Sequence, residues 1–281
     1  MQCKGKLLAL LGLGLLVIMC LLFTMAPMIT PYNPLLNDSS QAFLPPSWQH
    51  LFGTDHFGRD IFSRILYGGR LTVFLSFVSM LCAATIGVFF GAISAYFSEH
   101  WPDRLIMRLS DILLAMPYIV LAMLISTVFG RGLTQLLVLA IAVWWAPFAR
   151  LSRELILEDS IDERVLAAKV LGANPLQLFF KEILPNLLTP ITVQMTFEMA
   201  SMIASLATVS FFGMGAQPPQ PEWGGMLADA RPYMMQVPQL LIWPILSIFT
   251  LIVALNLLGE GLKALYQPYH LVSFGEEVKD D

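Results

Sequence analysis

Apolar and polar residues come in long blocks along this chain. Apolar runs occupy residues 7–29, 71–96, 105–129, 133–149, 191–212 and 240–258, and shorter polar stretches separate them. A helix needs roughly 17–25 residues to cross about 30 Å of hydrocarbon, so the pattern predicts an all-α integral membrane protein with six transmembrane helices. The first run exceeds the 7–15 apolar residues of a cleavable signal peptide, and it is read as a span.

The most distinctive polar interruption is 160–190, SIDERVLAAKVLGANPLQLFFKEILPNLLTP. Ser160 with Glu163 three residues on predicts an N-capped helix, and Gly172 predicts its end. Asn174 followed by Pro175 predicts the start of a second short helix. Ile161, Val165 and Ala168 share one face at helical spacing, and the pair Ala167 and Ala168 leaves room for another protein to approach the backbone. The expectation is a solvent-facing docking element.

Elsewhere, Gly87 and Gly91 make a small face for close helix packing. Pro117 predicts a kink in the third span, and Arg108 is placed to pair with Asp111. Trp144 and Trp145 suit either the membrane interface or the bundle interior. The prolines and glycines of 213–225 predict a turn or re-entrant bend, with a short interfacial helix near Asp229.

Composition agrees with a bilayer setting. Hydrophobic residues make up 57% of the 281 positions and charged residues 13%, with a mean hydropathy of +0.70, too little polar surface to cover a soluble globule. Cys3, Cys20 and Cys82 lack metal-ligand spacing and read as buried thiols. A net charge of −4 gives no reason to expect nucleic acid. With six spans and a cytoplasmic N terminus, 11 of the 16 basic residues fall inside, among them Lys4, Arg104, Arg153, Lys169, Lys263 and Lys279. The 5 outside are Arg59, Arg64, Arg70, Arg131 and Arg231, a bias that favours both termini in the cytoplasm.

The chain lacks a G-x-x-x-x-G-K-[ST] phosphate cradle, and it lacks the H-E-x-x-H and G-x-S-x-G strings of proteases and esterases. Asp111 and Glu198 are the acidic residues well inside apolar runs, and no nucleophile accompanies them, which weakens the alternative of an intramembrane enzyme.

Four stretches resemble one family. The Ala-Ala-x-x-x-Gly of Ala167 to Gly172, followed by Leu184-Pro185, is similar to the EAA loop of bacterial ABC-importer permeases. Leu166 stands where that family usually has Glu, and Glu182 where an aliphatic residue is usual. Gly53-Thr54-Asp55-His56-Phe57-Gly58-Arg59-Asp60, continuing to Ser63-Arg64, resembles the GTDxxGRDxxSR signature of the dipeptide, oligopeptide and nickel branch. The block from Ser210 to Leu227 resembles SFLGLGxQPPxPxWGxML, and the residues from Asn256 to Lys263 resemble the family's NLLGDxLRD ending.

The resemblance implies a type I ABC-importer permease bundle with a cytoplasmic coupling helix. It divides the chain into a cytoplasmic start and first span (1–29), an external segment (30–70), a permease core (71–268) containing the coupling loop 160–190, and a cytoplasmic tail (269–281). Glu163, Ala167, Ala168, Gly172, Leu184 and Pro185 would contact the ATPase. Gly53, Asp55, Gly58, Arg59 and Asp60 would form an external structural signature, through turns, ion pairs and helix capping. His50 and His56 leave open a metal-ligand reading of the same loop.

Implied partners are a second permease, two cytoplasmic ABC ATPases, an extracytoplasmic solute-binding protein and membrane lipid. No cofactor is expected in this chain, with ATP and Mg on the ATPases. The implied setting is the bacterial inner membrane. The cargo is a small peptide, with nickel or another metal chelate as the alternative.

Overall fold

The computed structural model describes residues 2–266. The tail expected over 269–281, with Lys279, lies outside them. Helices build the described part: α1 (Gln2–Thr24), α2 (Ala26–Ile29), α3 (Ile61–Tyr96), α4 (Trp101–Ala115), α5 (Tyr118–Phe129), α6 (Leu133–Asp159), α7 (Glu163–Val170), α8 (Pro175–Leu178), α9 (Leu184–Phe211), α10 (Trp223–Ala230) and α11 (Gln239–Tyr266). A π-helical turn, Phe179–Ile183, joins α8 to α9.

Four of these, α1, α3, α6 and α11, are each long and apolar enough to cross a membrane, and the bent pair α4 and α5 reaches that length and apolarity only when its two helices are counted as one span. Helix α9 has ample length at 28 residues, but Gln194, Glu198 and several Ser and Thr residues make it more polar. The fold is therefore a multi-pass helical bundle with one long helix, α9, of a different character.

Three boundaries differ from the sequence pattern. Helix α3 starts at Ile61, inside the segment expected to lie outside the membrane, because the Asp60 carboxylate accepts from the Ser63 N–H at 2.7 Å and caps it there. Its 36 residues reach about 54 Å, well beyond the hydrocarbon. Helix α6 runs on to Asp159, ten residues past the apolar run. The kink expected at Pro117 is a full break of 94°. Met116 sits in the extended region, as residues before proline prefer, so both chain ends at this point leave the helix.

Glycines set the helix spacing where predicted. A Cβ on Gly87 would lie 2.5 Å from the Trp145 carbonyl oxygen, and one on Gly91 would lie 2.7 Å from that of Ala149, so α3 and α6 touch backbone to backbone. Trp144 and Trp145 are buried inside the bundle. Cys20 and Cys82 are unpaired and exposed on the protomer, contrary to the expectation of buried thiols: an apolar run places a residue on a membrane helix without fixing which face of the helix it occupies.

The start of α1 and the end of α11 meet at one pole. Gly5 on α1 packs against Ala264 on α11, and Gly259 packs against Thr196 and Phe197 in the first half of α9. The first half of α9, which follows the 160–190 segment in the chain, thus packs on this end of α11. The opposite pole holds the 30–60 segment and α10, pinned by Trp223, whose buried indole donates from Nε1 to the Ile65 carbonyl at 3.0 Å and packs edge-on against Phe23.

Candidate functional site

At the first pole, the docking segment is built from consecutive caps. Ser160 does not start α7 as expected: it ends α6, its hydroxyl donating to the Leu157 carbonyl at 2.7 Å. Asp162 is the N-cap instead, accepting from the Arg164 N–H at 2.8 Å. A carboxylate two residues before that N–H reaches it more easily than the Ser160 hydroxyl.

The end of α7 is a Schellman turn. The Ala173 N–H reaches back to the Ala168 carbonyl and the Gly172 N–H to that of Lys169, both at 3.0 Å, with Gly172 at φ +86°. Asn174 and Gln177 then form a reciprocal capping box, at 2.8 and 3.1 Å, that starts α8.

These turns divide the segment's apolar residues between two sides. Val165, Leu178, Ile183 and Leu187 are buried against the bundle. Val170 and Leu171, by contrast, are 88% and 87% exposed, and Ile161, Leu176 and Phe180 are exposed beside them. Of the residues expected to contact an ATPase, Glu163, Ala167, Gly172 and Pro185 are exposed, while Ala168 and Leu184 are half-buried. The exposed apolar side chains around Gly172 were missed from sequence. Their signal was present as apolar residues flanking a helix stop.

Behind this surface a charged node ties three helices. Arg153 of α6 grips Asp103 of α4 with two hydrogen bonds of 2.7 Å, and Ser94 of α3 donates to the same carboxylate. The Glu99 N–H adds a fourth contact at 3.0 Å. The Arg153 guanidinium holds the Asp103 carboxyl well below the usual carboxylate range. Asp111 pairs with Arg150 on α6 rather than with Arg108, because the packing of α4 on α6 brings Arg150 to it. The node thus links α6, whose C-terminal end leads into the docking segment, to α4 and α3.

At the opposite pole the GTDxxGRD residues form a clasp. Gly53 and Gly58 take φ of +77° and +73°, and the loop between them closes as Asp55 accepts from Arg59 Nε at 2.7 Å. Arg59 and Arg64 reach Asp229 of α10 at 3.5 and 4.0 Å, and Arg64 donates to the carbonyls of Pro34 and Pro219. Burial lowers the His56 imidazole's affinity for a proton, and its ring stacks on Tyr233 at 5.1 Å. Glu222 caps α10 by accepting from the N–H groups of Gly224 and Gly225, and burial pushes its carboxyl up.

The clasp does not suit a metal ion. His50 uses Nδ1 on Asp60 at 2.9 Å and Nε2 on the Gln41 side chain at 3.0 Å. Among the described residues no three His, Cys, Asp or Glu side chains converge on a metal position. Between α1, α3, α9 and α11 lies a cleft of about 1330 Å³, mostly apolar, with Tyr32, Tyr67 and Arg70 among its lining residues.

An all-helical, multi-pass bundle with a capped, apolar knob at one pole and a charged clasp at the other is the architecture of a membrane transport permease. The chain belongs to the family of binding-protein-dependent transport system inner membrane components, which it matches over residues 87–268. Residues 4–46 match the N-terminal transmembrane domain of oligopeptide transport permease C.

It is 40% identical to the dipeptide transport system permease protein of Haemophilus influenzae, over 92% of this chain and 90% of that protein. The di/tripeptide transport system permease protein of Pseudomonas aeruginosa is 38% identical, over 94% of this chain and 88% of its own length. The glutathione transport system permease protein of Pectobacterium atrosepticum is 41% identical, over 79% and 74% of the two chains.

Proposed function

We propose that this chain is one of two permease subunits of an ATP-driven importer of short peptides, forming half of the translocation pathway. The observation that carries the cargo is the 40% identity to a dipeptide permease along 92% of the chain. Nickel or another metal chelate is not favoured, since the relatives quoted are named for peptides and glutathione and His50 has both ring nitrogens engaged.

The subunit breaks no bond in its cargo. ATP and Mg are handled by two partner ATPases, and an external binding protein delivers the peptide. Six spans, with α9 as the fifth, place both ends and the docking segment in the cytoplasm, which agrees with the distribution of Lys and Arg. The surface of Val170, Leu171 and Leu176 seats in the ATPases. Their closure moves α7, and the Asp103–Arg153 pair passes the motion to α4 and α3, alternating the passage between its two faces.

The test is uptake of labelled dialanine by the assembled importer in vesicles, with and without ATP. ATP-dependent accumulation is expected, and its absence at saturating binding protein would overturn the peptide reading.

A further inference from the structure

Helix α9 carries a polar face through the bundle. Residues in a helix turn by about 100° each, which brings Gln194, Glu198, Ser201, Ser205 and Thr208 to one side, while Met199, Ile203 and Leu206 are buried on the other. Ser201 and Thr208 are exposed, and Gln194, Glu198 and Ser205 are half-buried, so the protomer leaves part of this side open. Five polar residues on one side of a membrane helix are poorly solvated by lipid.

Glu198 is the charged member of the set. It accepts from Gln194 Nε2 at 2.7 Å, and none of the ion pairs among the described residues involves it. An intramembrane carboxylate without a basic partner is expensive unless it meets water or a cation. Trp144 of α6 lies beside it, edge-on to Tyr118 at 4.8 Å. A carboxylate beside an indole suits an ammonium group, which both attract.

We propose that this face of α9 lines the water-filled passage and that Glu198 is a specificity-determining carboxylate, receiving the α-ammonium end of a passing peptide. The ammonium group rests on the peptide reading above; the preference for cations does not.

The experiment uses the assembled importer with Cys3, Cys20 and Cys82 replaced by serine and Ser201→Cys introduced one turn from Glu198. Rates of modification are measured with cationic and anionic thiosulfonates of matched size. The cationic reagent should react about tenfold faster. Glu198→Gln should bring the ratio near one, Glu198→Asp should keep it, and dialanine should slow labelling when Glu198 is present.

Failure of both reagents to react would overturn the passage assignment, and a ratio unaffected by Glu198→Gln would overturn the role of the carboxylate. Dialanine uptake without protection would overturn the ammonium site. If the importer takes up no dialanine, the peptide reading fails while the reagent ratio still decides the charge preference.

Discussion

Two glycines with similar backbone angles separate conformational cost from packing cost. Gly172, at φ +86°, has nothing within 4 Å of a would-be Cβ, so Gly172→Ala loses only the left-handed preference, about 1 kcal/mol. Gly58, at φ +73°, has the Asp38 carbonyl oxygen in the space a Cβ would need. Gly58→Ala must move the backbone of the 38–41 turn as well. Thermal unfolding of the purified protein in detergent should therefore show a clearly larger drop in midpoint for Gly58→Ala than for Gly172→Ala. Equal drops would mean that the clasp does not hold its loop as described.

Among elements, the joint between α6 and α4 is the one whose chemistry is most exposed to test. Asp103 is buried and accepts a bidentate guanidinium, so Asp103→Asn leaves the partly exposed Arg153 without its anion and should cost about 2 kcal/mol. The Asp103 carboxyl is depressed in the folded protein, so its contribution is complete above the ordinary carboxylate value near 4 and is lost as pH falls toward the folded value. The gap in thermal midpoint between wild type and Asp103→Asn should be constant from about pH 5 to 7 and narrow below about pH 4. A gap that widens on acidification would contradict the pairing.

The elements also show what the chain's own pattern reveals. Asn174-Pro175, Gly172, Gly87 and Gly91 were legible because caps, stops and close packing are decided within a few residues. The α7 cap was misplaced because two acceptors, Ser160 and Asp162, compete for the same orphan N–H groups. The extent of the Pro117 break and the Asp111–Arg150 pair were not legible. The pair depends on how α4 lies across α6, a contact between residues 39 apart in the chain, and the angle of the break on where α5 then packs. The role of Asp229 in the clasp was hidden for the same reason, its partners lying on α3 and the loop before it.

For the whole molecule, the packing of the start of α1 and of the first half of α9 against the last third of α11 puts both described ends at one pole, the one from which α9 leaves the 160–190 segment. Placing that pole in the cytoplasm makes a direct prediction about labelling in a cysteine-free background. Ser40→Cys should react with an impermeant reagent from outside intact cells, and Lys169→Cys only after the membrane is opened. External labelling of Lys169→Cys would invert the orientation.

Coupling through the apolar knob is most directly tested by charging it. Val170 and Leu171 are almost fully exposed and pack on nothing in the protomer, so Val170→Asp with Leu171→Asp should leave insertion and thermal stability unchanged. Buried against ATPases, the two carboxylates would be desolvated without partners. The measurement is ATP-driven dialanine uptake by the assembled importer carrying both substitutions, with ATPase co-purification followed on the same sample. Loss of bound ATPase and at least a tenfold fall in uptake are expected; wild-type uptake with the ATPases still attached would contradict coupling through this surface.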